Sequence, residues 1–182
     1  MISISIEKKL VRHYFMRIRL IRKNDLASVS VLNEHAIPHV NSLTIDELEW
    51  FMENSQLFVV AEEDDVIIGF MIVLGPGITY ESLNYQYFVA HYKNFDYVDR
   101  IVVADSHKGK GIGTALYSYL TDHSTSKFVT CEVNLIPPNP LSIKFHENKG
   151  FKEVARQKSE GGKKMASLRV KDLSEKKPRL LA

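Results

Sequence analysis

The chain has a single cysteine in 182 residues, Cys131. That count excludes an internal disulfide and a thiolate-built metal cluster, and it fits a reducing compartment. An excess of either charge is also missing: 24 Lys and Arg stand against 22 Asp and Glu, a net charge of +2 with histidine neutral. Such a balance argues against a protein that lives on nucleic-acid phosphates or on an anionic membrane, so any anionic partner must be met locally. The longest apolar stretch, "VIIGFMIVLG", is too short to span a bilayer. Where a secretory signal would place its apolar run, the N-terminus carries Glu7, Lys8 and Lys9. Internal repeats are lacking, and the one low-complexity element is the basic tail "KDLSEKKPRLLA". These absences together lead us to expect a cytoplasmic protein with neither nucleic acid nor membrane as partner.

What is present is a chain that is 45% hydrophobic, enough for one sizeable core. We expect one domain over residues 16–170, with 1–15 as a leader or added element and 171–182 as the basic tail. "RIRLI" alternates like a half-buried strand, and "KNDLASVSVLNEH" offers Asn24 as the cap of a helix. Thr44 and Glu47 stand at capping-box spacing ahead of Leu48, Trp50 and Phe51, which starts a second helix. An acidic turn joins Leu57–Ala61 to Val66–Leu74 as a hairpin. "GPG" stops it, a loop rich in Tyr80, Tyr85, Tyr87, Phe88 and Tyr92 runs from Ile78 to Phe95, and "YVDRIVVA" is the next strand. Ile112, Ala115, Leu116, Tyr119, Leu120 and His123 then mark one helical face. "KFVTCEV" is a strand, Asn139 caps a helix with Pro140 at its first position and Gly150 past its end, and "FKEVARQ" and "KMASLRV" close the domain. The order is β α α β β β α β α β β, an α/β chain.

The stretch that carries chemistry is "SHKGKGIGTAL", Ser106 to Leu116, with glycines at 109, 111 and 113. A glycine turn that enters a helix points several backbone N–H groups the same way at the positive end of the dipole, an anion site suited to phosphate. A side chain there would hold the phosphate away. The P-loop needs a second glycine followed by Lys and Ser/Thr, which no glycine here supplies. The dinucleotide fingerprint fails because its third glycine should stand at Thr114.

Strand "IVV", then "KGKGIG" and an amphipathic helix resemble the Q/R-x-x-G-x-G/A motif of the GCN5-related N-acetyltransferase (GNAT) superfamily. Downstream, "VNLIPPNPLSIKFHENKGF" resembles that superfamily's second half, with an Asn cap, a small residue three later and a Gly-Phe pair. The resemblance covers about Arg17 to Val170. It implies a mixed, mostly antiparallel central sheet flanked by helices, and acetyl-CoA as cosubstrate without a metal. It also implies transfer of acetyl to a small-molecule or peptide amine by direct attack; the alternative is a non-catalytic acyl-CoA-binding module of the same fold. A homodimer is compatible with either.

Residue by residue, the resemblance points the amides of Gly109, Lys110, Gly111, Ile112, Gly113 and Thr114 at the pyrophosphate. Lys108 replaces the usual Gln or Arg, keeping the charge without the planar fork. Asn139 and Ser142 belong to the same cofactor side. The amides near Val102 and Val103 are expected beside the thioester carbonyl. Asp99 stands where relatives have a glutamate proposed as base, and an ion pair with an Arg is the equal alternative. His146 stands where many relatives have a Tyr that protonates the departing thiolate, so it is either that acid or a packing residue. Glu132 and Asn134 are candidates to line the amine site, and Tyr85 stands for an aromatic-walled acceptor pocket. His35 and His39 have the i, i+4 spacing of helical metal ligands, but Pro38 intervenes and a metal is not expected.

Overall fold

A computed structural model of the protein describes residues 16–174. The expected leader over 1–15 and the end of the basic tail lie outside the described residues.

The strands are β1 (Met16–Leu20), β2 (Leu57–Glu63), β3 (Val66–Leu74), β4 (Phe95–Val103), β5 (Phe128–Ile136), β6 (Lys152–Ser159) and β7 (Lys164–Asp172). They form one sheet in the order β1-β2-β3-β4-β5-β7-β6. Every neighbouring pair is antiparallel except β4 and β5, which run parallel. The β2–β3 hairpin turns on Asp64 and Asp65, both at positive φ (50° and 63°), the backbone that a tight two-residue turn demands. β7 continues through Asp172 and Leu173 behind it is buried, so the first residues of the basic stretch belong to the sheet.

The helices are α1 (Leu26–His35), α2 (Ile45–Asn54), α3 (Leu83–His91), α4 (Ile112–His123) and α5 (Pro140–Asn148). The first three cover one face of the sheet, where Leu26, Val29, Leu48, Phe51, Tyr85 and Phe88 pack on Phe58, Phe70, Tyr97 and Leu168. On the other face α4 buries Ile112, Leu116, Tyr117 and Leu120 against Val59, Met71, Val98 and Cys131, with Phe151 beside them. No helix among the described residues is long and apolar enough to cross a membrane.

The capping box at Thr44 and Glu47 forms as expected, with the hydroxyl accepting from the Glu47 amide and the carboxylate accepting from the Thr44 amide. Asn139 caps α5, and Gly150 follows at φ 85°. Three expectations are corrected. Asn24 is not a cap: a short 3-10 turn over Lys23–Asp25 precedes α1, and Asp25 takes the Arg22 amide and the Arg19 guanidinium. The loop of Ile78 to Phe95 contains α3, capped by Ser82, whose hydroxyl accepts from the Tyr85 amide. The buried face of α4 is rotated toward Tyr117, while Tyr119 and His123 stack on each other further out.

Candidate active site

β4 and β5 pair only from Phe95 with Phe128 to Val98 with Cys131, and beyond that point they part. The parting begins where β4 bulges: Arg100 pairs with Ile72 and Val98 with Val73, so Asp99 has no opposite residue. A bulge bends its strand and re-aims side chains. Between the parted strands opens a cleft of about 1920 Å³, which runs from the segment between α1 and α2, past β4 and β5, to the glycine turn and α5.

At one end of the cleft the wall is backbone. Gly109 and Gly111 lie at φ 77° and 86°, a conformation side chains rarely adopt, and Gly111 is the N-cap of α4. A Cβ at either glycine would meet no heavy atom within 4 Å, so the turn leaves an open cradle over the helix start. The first-turn amides of α4, those of Ile112, Gly113 and Thr114, lack intrahelical acceptors by geometry and face that cradle's positive end. The arrangement fits a pyrophosphate. Gly113 differs from the other two: a Cβ there would stand 3.2 Å from Phe145, so its bareness serves the approach of α5 to α4. Lys108 is exposed and pairs with Asp105 at 2.5 Å. On α5, Asn139 Oδ1 accepts from the Ser142 amide, and both residues line the cleft.

Between the cradle and the far end lies the edge of β4. The Ala104 amide donates to the Ile68 carbonyl across the β3 ladder. Alternation along an antiparallel pair turns the Val102 amide the same way and leaves that of Val103 facing the parted side. Of the two expected amides, the register therefore offers Val103 to the cleft and keeps Val102 for the sheet.

At the far end the wall is made of side chains. The Asp99 carboxylate is only 4% exposed; one oxygen accepts from the Tyr80 hydroxyl at 2.6 Å and the other from Arg100 Nε at 2.8 Å. Arg100 also donates to Asn33 Oδ1 at 2.8 Å and to the Asn41 carbonyl, and lies over the Phe51 ring. Asp99 is thus held in the ion pair that the sequence reading kept as its alternative role. Glu132 extends from β5 into the cleft and accepts from the Tyr97 hydroxyl. Burial, with the Asp99 charge nearby, pushes its carboxyl up to about 8. Asn134, two residues on, lines the cleft and donates to the His39 carbonyl at 3.0 Å.

Tyr85 does not reach this wall. It is 1% exposed, donates its hydroxyl to the Gly75 carbonyl, and packs edge-on against Tyr80 and Tyr97. At this end the aromatic residues lining the cleft are Tyr80, Trp50 and Phe51, with Tyr80 stacked on Trp50. His146 is 3% exposed, and its burial lowers it to about 4. Its Nδ1 lies 2.8 Å from the Ser142 carbonyl, which can only accept, so the neutral ring's proton sits there. Nε2 then accepts from the Tyr117 hydroxyl at 2.8 Å. A neutral imidazole in this tautomer has no proton to give on its Tyr117 side, which argues against the acid role. Tyr117, Tyr97 and Arg100 were absent from the sequence-based site. The buried stripe of α4 could have found Tyr117; the others come from contacts distant in sequence.

Among the described residues, no group of three or more His, Cys, Asp and Glu side chains is placed to hold a metal. Residues 25–151 match the model of a family described as the acetyltransferase (GNAT) family. An L-methionine sulfoximine/L-methionine sulfone acetyltransferase of Salmonella typhimurium is 29% identical over 161 residues, covering 81% of this chain and 86% of the relative. Among solved structures, a Salmonella typhimurium protein with its cofactor acetyl-CoA superposes with a TM-score of 0.67 at 20% identity, over 92% of this chain and 99% of the other. A ribosomal-protein-alanine N-acetyltransferase from Brucella melitensis gives 0.68 at 19% identity, over 86% and 99%.

Proposed function

The chain belongs to the acetyltransferase (GNAT) family, and from that premise we propose that it transfers the acetyl group of acetyl-CoA to the primary amine of a free amino acid or amino-acid analogue. The observation that carries this reading is the single cleft with two unlike ends. A bare-backbone cradle at a helix start suits the pyrophosphate, and an ionisable carboxyl lies where the strands part.

The roles follow from position. The amides of Gly109 and of Gly111 to Thr114, with the charge of Lys108, hold the phosphates of acetyl-CoA once Lys108 leaves Asp105; the Lys110 amide, also expected there, instead donates to the His107 carbonyl at 3.3 Å inside the turn. Asn139 and Ser142 shape the wall of α5 on the same side. The Val103 amide, preorganised on β4, donates to the thioester oxygen, where negative charge grows as the amine attacks. The amine enters between Tyr80, Asn134 and Glu132. A small amino-acid acceptor is favoured by the methionine sulfoximine acetyltransferase among the relatives. A peptide N-terminus is the second reading, and the ribosomal-protein-alanine acetyltransferase among the fold neighbours favours it.

Thiol release from acetyl-CoA is the direct test, measured with the protein amino acids, methionine sulfoximine and methionine sulfone, and separately with N-terminal peptides. Turnover with a free amino acid or analogue at low KM is the expected result. Turnover confined to peptides would replace the small acceptor with a protein one. Raised melting temperature with coenzyme A but no thiol release would leave only an acyl-CoA-binding module.

A further inference from the structure

We propose that Glu132 takes the proton from the acceptor ammonium, held in place by the Tyr97 hydroxyl, while Arg100 and Tyr80 keep Asp99 out of the reaction as a fixed negative neighbour. This rests on the acetyl-transfer reading and names the catalytic residue within it.

Three geometric facts carry it. Glu132 is the first residue of β5 beyond the parallel pairing, which ends at Cys131, so it stands at the apex of the parted strands. Both residues line the cleft, but the Asp99 carboxylate is 4% exposed with its two oxygens taken by Tyr80 and Arg100, whereas the bond that Glu132 accepts from Tyr97 falls on one oxygen, Oε2. A base must have an oxygen to offer the proton it abstracts, and those of Asp99 are already taken by Tyr80 and Arg100. The groups around Glu132 are Tyr97, Asp99 and Arg100 of β4, Tyr80 ahead of α3, Asn84 of α3, Cys131 beside it and Tyr117 of α4, with apolar Leu168 opposite on β7. Burial and Asp99 raise its carboxyl; the hydrogen bonds from Tyr97 and Asn84, and the charge of Arg100, oppose them. The resulting value of about 8 lets it hold a proton taken from an ammonium near neutral pH, which a carboxylate at the usual value near 4.3 does poorly.

The step balances as follows. The ammonium N–H bond breaks and its proton moves to a Glu132 oxygen. The freed nitrogen lone pair forms a C–N bond with the thioester carbonyl carbon as the C–S bond breaks. The nitrogen's second proton leaves with the sulfur as coenzyme A thiol, and Glu132 returns its proton to solvent. The products are the amide, the thiol and one proton.

The test is kcat/KM against pH for the parent, Glu132→Gln, Tyr97→Phe and Asp99→Asn, with circular dichroism to check folding. The parent is expected to show a rising limb with a midpoint near 8. Glu132→Gln should lose the limb and roughly 10²- to 10⁴-fold in kcat, with little change in acetyl-CoA KM. Tyr97→Phe should move the limb up, because a donor to the carboxylate is lost. Asp99→Asn should move it down, because a negative neighbour is lost. Titration of the acceptor's own amine would shift with neither variant. A second readout needs no acceptor: carboxyl carbon NMR of the free protein should find a glutamate with a midpoint near 8 that disappears in Glu132→Gln. An ordinary midpoint, an unaltered limb in Glu132→Gln, or loss of the limb in Asp99→Asn would each overturn the assignment alone. A parent that releases no thiol with any amine would overturn the acetyl-transfer reading, and this assignment with it.

Discussion

The two ends of the cleft are built from different material. At the glycine end the functional groups are amides, and their placement follows from φ angles at Gly109 and Gly111 and from where α4 starts. At the acceptor end they are side chains gathered from α1, the segment after it, the loop before α3, and strands β4 and β5. The first end is local and open, and it offers positive potential without a buried charge. The second is long-range and largely buried, and it depends on Asp99 keeping its partners Arg100 and Tyr80. The lesson is that the same substitution chemistry should fail differently at the two ends: as lost binding at one, as lost stability or shifted titration at the other.

The largest effect should come from Gly111→Glu. It places a side chain and a negative charge in the cradle, at a φ of 86° that glutamate resists, so the stabilisation of the parent by coenzyme A should vanish. Thermal melting with and without saturating coenzyme A measures it, and a retained shift would break the assignment of the phosphate end. Next is Arg100→Met, which leaves the buried Asp99 carboxylate without its cation, with Tyr80 as remaining donor, and takes a donor from Asn33 Oδ1 and from the Asn41 carbonyl. Loss of one partner of a buried pair costs about 3–5 kcal/mol, so chemical denaturation should show a drop of that order. A loss under about 1 kcal/mol would mean that the acceptor end is not the buried network described.

The third test sets the two ends against each other in pH. His146, lowered to about 4, gains no proton on folding that the unfolded chain, at 6.5, has not already taken. Its stability is therefore present above pH 6.5 and lost as pH falls toward 4. Glu132, raised to about 8 from 4.5, has the opposite sign: its stability is full below 4.5 and lost as pH rises through 8. The slopes oppose each other between about pH 4.5 and 6.5. His146→Phe should remove its share, up to roughly 3 kcal/mol across that range, and unmask the fall in stability due to Glu132. Unfolding free energy measured from pH 4 to 8 checks it; an unchanged profile would remove His146 from the titrating groups. The smallest effect is Lys108→Ala. Its pair with Asp105 is exposed and screened by water, so stability should hardly change, while coenzyme A affinity should fall more at low salt than at high. Equal losses at both would make Lys108 a packing residue.

The same contrast explains what could be read from the sequence. The cradle, its helix, the Thr44 box and the Asn139 cap are each written within about a dozen consecutive residues. α3 was hidden because Tyr85, Tyr87, Phe88 and Val89 are strand formers by propensity, and packing of Tyr85 and Phe88 into the core overrides it. Asp99 was legible as a carboxylate of the active strand, yet its partner Tyr80 lies 19 residues away and Arg100 answers to Asn33, 67 residues away. No spacing rule reports those distances. Tyr85 and Tyr80 were equally plausible as pocket walls until the turn into α3 assigned one to the core and one to the cleft.

Gly113 returns here in a different light. Its missing side chain sets how near α5 can come to α4, since Phe145 occupies the space a Cβ would need. A substitution scan through the three glycines would therefore report similar losses of activity with unlike origins. Enlargement at 109 or 111 would meet no neighbouring atom, so beyond the local backbone strain of a positive φ its effect would fall on coenzyme A binding. Enlargement at 113 would act as a wedge between the two helices, strain the Tyr117–His146 hydrogen bond that ties them, and be mistaken for a binding defect unless the unliganded protein were melted alongside.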